Sequence, residues 1–432
     1  MGIESFLQIN TWGDSEKHFI YRSFLIAFFI SGISLFSQTF RILFIYDNYG
    51  IFEGGLYLAL LGLVSFLLDY PTANLSDRIG QRGVMILALF THSIAIYLLA
   101  TTTSETSFYL SAIIDGIAMA QFSGTLRAWF DNNYKFIASD FDKDYFIYMD
   151  LMTKANVISY VGVFCFSVTG GYIATYISRD LGLLTEVVLS LAIIFIVLLV
   201  MTDLNHLSNN NIVEKKSIMF NFKAGLQFFF ESKQNFFLLS SAFLVPLEAI
   251  IFTQTLFIPL YFAYTGSELL ISLADRIQVI ITMLIQMLLM KYLLSKIKNL
   301  GSYIYFFLLG FLMFSMIPVI IFFYPFTNKI DIIPLTLLWF LFLLLDFFNL
   351  IGSTLFNRKK TMIIPSDIRN SIYSLSSSLT TLASLVIIPL VNFLYASYSM
   401  IYAMIILVLI KIFALVVLFI EKNVDSNQEV AS

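Results

Sequence analysis

The sequence predicts an all-α polytopic membrane protein with twelve transmembrane helices. Of its 432 residues, 59% are hydrophobic and 12% are charged, and the mean hydropathy is +0.86. A water-soluble globular protein typically has about 25% charged residues, so much of this apolar surface must face lipid. The apolar runs are continuous rather than alternating, which favours helices over a β-barrel, the only other structure that satisfies the backbone in lipid.

Twelve segments are long enough to cross the bilayer, because a spanning helix needs roughly 20 apolar residues. The first follows a polar N-terminus, residues 1–17, so we expect no cleavable signal peptide. The single cysteine, Cys165, excludes an internal disulfide and a cysteine-rich metal site. The predicted spans, numbered in chain order, are residues 19–46, 54–74, 83–101, 107–130, 147–176, 182–203, 234–263, 267–292, 302–324, 332–355, 368–393 and 397–421.

The distribution of Lys and Arg predicts that both termini are cytoplasmic. Loops after odd-numbered spans carry only Arg179 and Lys329. The other loops are basic and therefore face the cytoplasm by the positive-inside rule. Their basic residues are Arg78, Arg82, Lys135, Lys143, Lys215, Lys216, Lys296, Lys298, Arg358, Lys359, Lys360 and Arg369.

The longest interior polar stretch, residues 202–216, separates two sets of six spans. The residues that follow it mix aromatic and polar side chains, as a helix lying on the membrane surface does. The predicted domains are an N-terminal six-helix bundle (1–203), a cytoplasmic linker with an amphipathic helix (204–233), a C-terminal six-helix bundle (234–421) and a cytoplasmic tail (422–432).

Residues 69–82 form a short hydrophilic hairpin between spans 2 and 3. Their order resembles the cytoplasmic loop between helices 2 and 3 of major facilitator superfamily (MFS) transporters, where Gly-x-Leu-Ala-Asp-Arg-x-Gly-Arg-Lys often follows Glu-x-Pro-Thr. The resemblance implies the MFS fold, in which two six-helix bundles alternate access to a central site. The matching residues are Leu75, Asp77, Arg78, Gly80 and Arg82, with Asp69 in place of the Glu and Ala73 in place of the first Gly.

Two further segments resemble drug-exporter-like members of the superfamily. At the end of span 4, residues 116–131 contain a Gly-rich run, Ser-Gly-Thr and an Asp, with Arg127 where Glu is usual. In span 5, residues 162–171 keep the outer glycines of Gly-x-x-x-Gly-Pro-x-x-Gly-Gly. Small residues at this spacing also let helices pack closely, so a packing role and an antiporter role both remain open.

At the entrance to span 11, residues 365–371 resemble the Pro-x-Glu-x-Arg-Ala-Thr segment of many members. In the superfamily the Asp of the loop between helices 2 and 3 contacts this helix in the outward-open state. The resemblance implies a cytoplasmic gate that closes in the same way. Its predicted residues are Asp69, Asp77, Arg78, Gly80, Arg82, Arg127, Asp131, Asp367 and Arg369.

Charged side chains inside the spans indicate functional sites, because each costs at least ~2.5 kcal/mol in mid-bilayer. Each acid could line the central cavity or form a structural ion pair; Arg41 and Asp115 could pair, and Asp346 is one candidate partner for Lys411. In the superfamily helices 1, 4, 7 and 10 line that cavity. The predicted substrate and proton cavity consists of Ser34, Gln38, Arg41, Asp115, Glu248, Asp346 and Asn349.

The predicted function is secondary active transport of a small amphipathic, cationic molecule by proton-coupled efflux. Proton-coupled uptake of a nutrient or metabolite is the alternative, and a polytopic membrane enzyme or a non-transporting sensor is a distant one. We expect no catalytic residue, cofactor or metal site, since His18, His92 and His206 lie near no second ligand-type cluster in the sequence. The expected partners are the substrate, protons and lipid, without nucleic acid, for a monomer in the cytoplasmic membrane.

Overall fold

The computed structural model describes residues 7, 9, 12–138, 142, 146–203, 226–296, 300–326, 330–365 and 369–431. All regular secondary structure in this part of the chain is helical. Ten helical segments are long and apolar enough to cross a membrane. The prediction of an all-helical multi-pass membrane protein is therefore confirmed at this level, whereas the count of twelve spans and the side of the termini stay predictions.

The helices follow the predicted spans closely. Span 1 is broken at residues 35–37, span 4 at residues 123–124 and span 7 at Leu256, and spans 2 and 3 belong to one long bent helix. The helices are α1 (Asp14–Ser34), α2 (Gln38–Tyr49), α3 (Ile51–Thr101), α4 (Glu105–Phe122), α5 (Thr125–Ala138), α6 (Phe146–Tyr176), α7 (Arg179–Val200), α8 (Lys233–Thr255), α9 (Phe257–Thr265), α10 (Glu268–Lys296), α11 (Tyr303–Phe323), α12 (Ile332–Ile363), α13 (Arg369–Ser397) and α14 (Met400–Ala431).

Local sequence explains where several helices begin. The hydroxyls of Ser104, Ser178 and Ser232 each accept a hydrogen bond from the backbone N–H three residues later, which caps α4, α7 and α8. Asp331 caps α12 in a similar way. Helix α4 with the start of α5, and helix α10, occupy the predicted spans 4 and 8 but are not among the ten candidates. Polar residues are frequent along α4.

The chain forms two compact units. Unit 1 comprises Met1–Phe44 and Leu60–Val213, and unit 2 comprises Ile45–Ala59 and Glu214–Ser432. In unit 1, α1 packs along α6. A Cβ atom added at Gly162 would lie 2.2 Å from the carbonyl oxygen of Phe28, and one added at Gly170 would lie 2.3 Å from that of Phe36. The outer glycines of span 5 are therefore what allows this close helix contact.

In unit 2, α11 packs along α12, and α8 packs against α13 and α14. Tyr303, Phe307, Leu355 and Leu418 belong to a buried apolar core between these helices. Residues 45–59 also belong to unit 2. There the hydroxyl of Tyr46 donates to Asn392 Oδ1 at 2.8 Å.

Candidate proton and substrate sites

Four charged side chains meet in the interior of unit 1, and we call them the unit 1 cluster: Arg41 on α2, His92 on α3, Asp115 on α4 and Glu186 on α7. The guanidinium of Arg41 lies 2.9 Å from Asp115 Oδ2 and 3.1 Å from Glu186 Oε1. The His92 ring lies between the same carboxylates, with Nδ1 2.9 Å from Asp115 Oδ1 and Nε2 3.2 Å from Glu186 Oε1. Both carboxylates are fully buried.

The hydrogen-bonding geometry indicates the charge of His92. Ionised carboxylates only accept hydrogen bonds, whereas a neutral imidazole has one donor and one acceptor nitrogen. Both ring nitrogens of His92 face carboxylate oxygens, so only the imidazolium can donate to both. Two cations then balance two anions, which is the condition under which buried charges are tolerated.

The two carboxylates of the cluster differ in their surroundings. Asp115 is bonded through both oxygens, one to Arg41 and one to His92. Glu186 accepts the hydrogen bonds from Arg41 and His92 on the same oxygen, Oε1. Its Oε2 is buried and makes no hydrogen bond of normal geometry to a described residue, although the Ser37 hydroxyl lies nearby. Glu186 is therefore the carboxylate with a free position for a proton.

Sequence reasoning missed half of this cluster. It anticipated that Arg41 and Asp115 could pair, and they do. The sequence shows no ligand-type cluster beside His92, but the fold brings His92 between carboxylates 23 and 94 positions away. Glu186 was not singled out, although a lone acid in the very apolar span 6 was a signal that could have found it.

A cavity of about 720 Å³ opens in unit 1, and its wall combines apolar side chains with several hydroxyl groups, one amide and Arg127. Ser34, one of the predicted cavity residues, lines it, whereas Gln38 is exposed and does not. The wall contains no carboxylate, so it suits a polar, hydrogen-bonding solute. Its polar residues include Ser31, Ser34, Thr153, Asn156, Ser159 and Tyr160.

A second cavity, of about 400 Å³, lies within unit 2 and contains the other predicted acids. Lys411 Nζ lies 2.8 Å from Glu248 Oε2 and 5.1 Å from the centre of the Phe314 ring. The partner of Lys411 is thus Glu248 rather than Asp346. Asp346 Oδ2 accepts a hydrogen bond of 2.7 Å from Gln278 Nε2, and Asn349 also lines the cavity.

Unit 2 contains a further buried ion pair that was not predicted from the sequence. Lys359, which was predicted to be a loop cation, is 7% exposed and pairs with the fully buried Glu421. Tyr303 donates its hydroxyl to Glu421 as well. This contact ties α11, α12 and α14 together inside unit 2.

The loop between spans 2 and 3 is anchored within unit 1. Gly80 has φ 79° and ψ 162°, a conformation essentially restricted to glycine. Just after it, the backbone N–H of Arg82 donates to Asp203 Oδ2 at 3.1 Å, and the Arg82 guanidinium donates to the carbonyl of Leu198. The loop is therefore held at the C-terminal end of α7, a contact that sequence analysis did not foresee.

The remaining predicted gate residues are only partly described. Asp69 and Arg78 are exposed. Arg127 is 74% exposed and 3.9 Å from Asp131, so this pair contributes little stability; Asp131 also accepts a hydrogen bond from Tyr148. The predicted meeting of the hairpin with span 11 lies outside the described residues, namely the side chains of Asp77 and Arg369 and all of Asp367.

Several solved transporter structures are similar to this chain. The nucleoside transporter NupG matches with a TM-score of 0.69 and 14% identity over 95% of this chain and 99% of its own. The POT family transporter PepTSo matches with a TM-score of 0.67 and 10% identity over 96% and 99%. A POT family transporter in complex with 5-aminolevulinic acid matches with a TM-score of 0.61 and 14% identity, over 94% of this chain and 95% of its own.

These matches cover nearly the whole chain at low identity, so they show the fold alone. No protein-family model matches the chain, and no curated protein matches it in sequence. The fold is that of these multi-pass transporters, as the MFS resemblance of residues 69–82 implies.

Proposed function

We propose that the chain is a secondary transporter that couples the uptake of a small polar solute to the entry of protons. The observation that carries the proposal is the buried imidazole of His92, which lies between Asp115 and Glu186 with both ring nitrogens bonded. A purely structural ion pair needs no titratable group, and Arg41 alone could hold either carboxylate. The added histidine supplies a titratable proton within the cluster, which an Arg–carboxylate pair lacks.

Coupling follows from the charge balance of the unit 1 cluster. With His92 protonated the four groups sum to zero, and the loss of one proton leaves a net negative charge in a low-dielectric interior. Such a charge is costly unless the surroundings rearrange or a cation returns. The cluster therefore favours different conformations before and after proton release, which is what alternating access requires.

Uptake is favoured over drug efflux by two features of unit 1. The glycines of span 5, on which the antiporter resemblance rests, are accounted for by their contact with α1. The unit 1 cavity has more hydroxyl and amide side chains on its wall than the unit 2 cavity has, although apolar side chains supply most of the surface of both. The similar folds include a nucleoside transporter and a POT family transporter in complex with a thioalcohol conjugated peptide, which supports a polar solute.

Efflux of an amphipathic cation is the second candidate. It is supported by the unit 2 cavity, whose wall is mostly apolar but contains the carboxylate of Asp346. Coupling to protons through the unit 1 cluster would be the same, and only the direction of solute movement relative to the proton differs.

Proteoliposomes that contain a trapped pH dye test both candidates. Solutes such as uridine, dialanine and phenethylamine are added outside at equal pH and with the membrane potential clamped. Symport acidifies the lumen, whereas antiport makes it alkaline. We expect acidification by at least one solute, and we expect His92→Gln and Glu186→Gln to abolish it while equilibrium exchange of labelled solute persists.

Asp180→Asn is the matched control, because Asp180 is an exposed carboxylate at the start of α7, and it should acidify normally. Alkalinisation would favour efflux instead. Proton movement that survives both cluster substitutions would show that the unit 1 cluster does not carry the proton, and solute movement without any proton movement would refute coupling.

A further inference from the structure

The two units place charged residues on corresponding spans. Counted along each set of six, spans 1, 4 and 6 of unit 1 contribute Arg41, Asp115 and Glu186. The corresponding spans of unit 2 are 7, 10 and 12, and they contribute Glu248, Asp346 and Lys411. Each unit thus buries two carboxylates and one permanent cation on the same three spans of its repeat, although the residues lie at different depths along them.

The fourth member of the set differs between the units. In unit 1 the third span supplies His92, whose imidazolium balances the second carboxylate. The corresponding span of unit 2 is α11, which carries no charged residue. Its Phe314 ring lies against Lys411, and a cavity of about 400 Å³ adjoins the acids. Unit 1 has the His92 imidazolium on this span, whereas unit 2 has a cavity beside the corresponding span.

The acids of unit 2 are consequently left with one charge unbalanced. Lys411 is engaged by Glu248 at 2.8 Å. Asp275, a further charged group near Asp346, pairs with Arg276 at 3.1 Å. Lys411 lies near enough to act on Asp346 electrostatically, but no cation among the described residues lies within ion-pair distance of Asp346, whose one hydrogen bond comes from the amide of Gln278.

Unused acceptors surround this carboxylate. Gln278 is 5% exposed, and its Oε1 makes no hydrogen bond to a described residue; the same is true of Thr282 Oγ1, which is buried on the cavity wall. Buried polar atoms without partners are rare and call for an explanation. An ammonium group has three donors and no acceptor, so it complements the Asp346 carboxylate and the unpartnered Thr282 oxygen on the same cavity wall.

We propose that the unit 2 cavity binds a small organic molecule through its primary ammonium group, with Asp346 as the counter-ion and Thr282 as a further acceptor, while Gln278 positions Asp346. Val245, Leu415 and Leu418 line the rest of the cavity and contact the apolar body of the molecule. A volume of about 400 Å³ is at the small end of ligand pockets. The claim that this molecule is the transported solute rests on the proposed function. The claim that the cavity binds it does not.

The test is equilibrium binding to the full chain in lipid nanodiscs without any gradient. Phenethylammonium is the probe, and 2-phenylethanol is its neutral isostere of nearly equal size. We expect the ammonium to bind at least tenfold more tightly than the alcohol at pH 7. Asp346→Asn should remove this preference and leave the weak binding of the alcohol, whereas the exposed control Asp180→Asn should keep it.

Equal binding of the two probes to the wild-type chain, or no binding of either, overturns the proposal without reference to any variant. So does an Asp346→Asn protein that is folded and still prefers the ammonium, since Asp346 would then be a site for a proton or a structural group. His92→Gln should bind the ammonium normally. Loss of proton coupling with retained ammonium binding would refute the proposed function alone.

Discussion

At the residue scale, the stability of the folded protein depends on the positive charge of His92. Two buried carboxylates share one guanidinium and one imidazolium, and the cluster draws on four helices. Removal of one partner from a buried ion pair leaves an uncompensated charge, which costs far more than the intact pair contributes.

This cost can be measured. His92→Leu should lower the free energy of unfolding by about 3 to 5 kcal/mol, because Arg41 cannot balance both acids. The double variant His92→Leu/Glu186→Leu removes one charge of each sign and should recover most of the loss. Denaturant unfolding in detergent provides the measurement, and His18→Leu is the control because His18 is exposed. A double variant less stable than the single would contradict the charge balance.

The partners of these residues could not have been read from the sequence. A charge inside an apolar span indicates that it meets protein or water, and this rule identified Arg41, Asp115, Glu248 and Asp346 as buried groups. The partners lie 23 to 163 positions apart, and periodicity within one helix contains no information about which faces of different helices meet.

At the element scale, the contact between α1 and α6 depends on backbone atoms approaching each other. An alanine at Gly162 would place its methyl carbon 2.2 Å from the Phe28 carbonyl oxygen. Phe36 stands in the same relation to Gly170. The sequence left open whether these glycines serve packing or an antiporter motif, and the close approach accounts for them by packing.

Gly162→Ala and Gly170→Ala should each lower stability by about 1 to 3 kcal/mol, since added carbon in a well-packed contact forces the helices apart. Val161→Ile adds the same single carbon to the same helix on an exposed side chain and should be nearly neutral. Thermal unfolding by intrinsic fluorescence provides the comparison. Equal stability of all three variants would show that the two helices are not in such close contact.

At the scale of the whole molecule, the two predicted spans that are not among the ten candidates decide the topology. Helices α4 and α10 must cross the membrane if there are twelve spans and both termini are cytoplasmic. Labelling with a membrane-impermeant maleimide tests this in a Cys165→Ala background. Thr103→Cys and Ser267→Cys should react in intact cells, whereas Ala138→Cys and Asn299→Cys should react only after permeabilisation. Reaction of all four from outside would refute the twelve-span arrangement.

Composition and hydropathy determined on their own that the chain is helical and embedded in lipid, because a chain this apolar must satisfy its backbone groups internally. The hairpin at residues 69–82 also indicated the transporter fold. Only the tertiary structure decided that His92 and Glu186 complete the cluster at Arg41, and that Asp346 lines a cavity in which Lys411 pairs with Glu248 instead. The physical reason is that hydropathy follows from each residue alone, whereas the balance of buried charge depends on which helix faces meet.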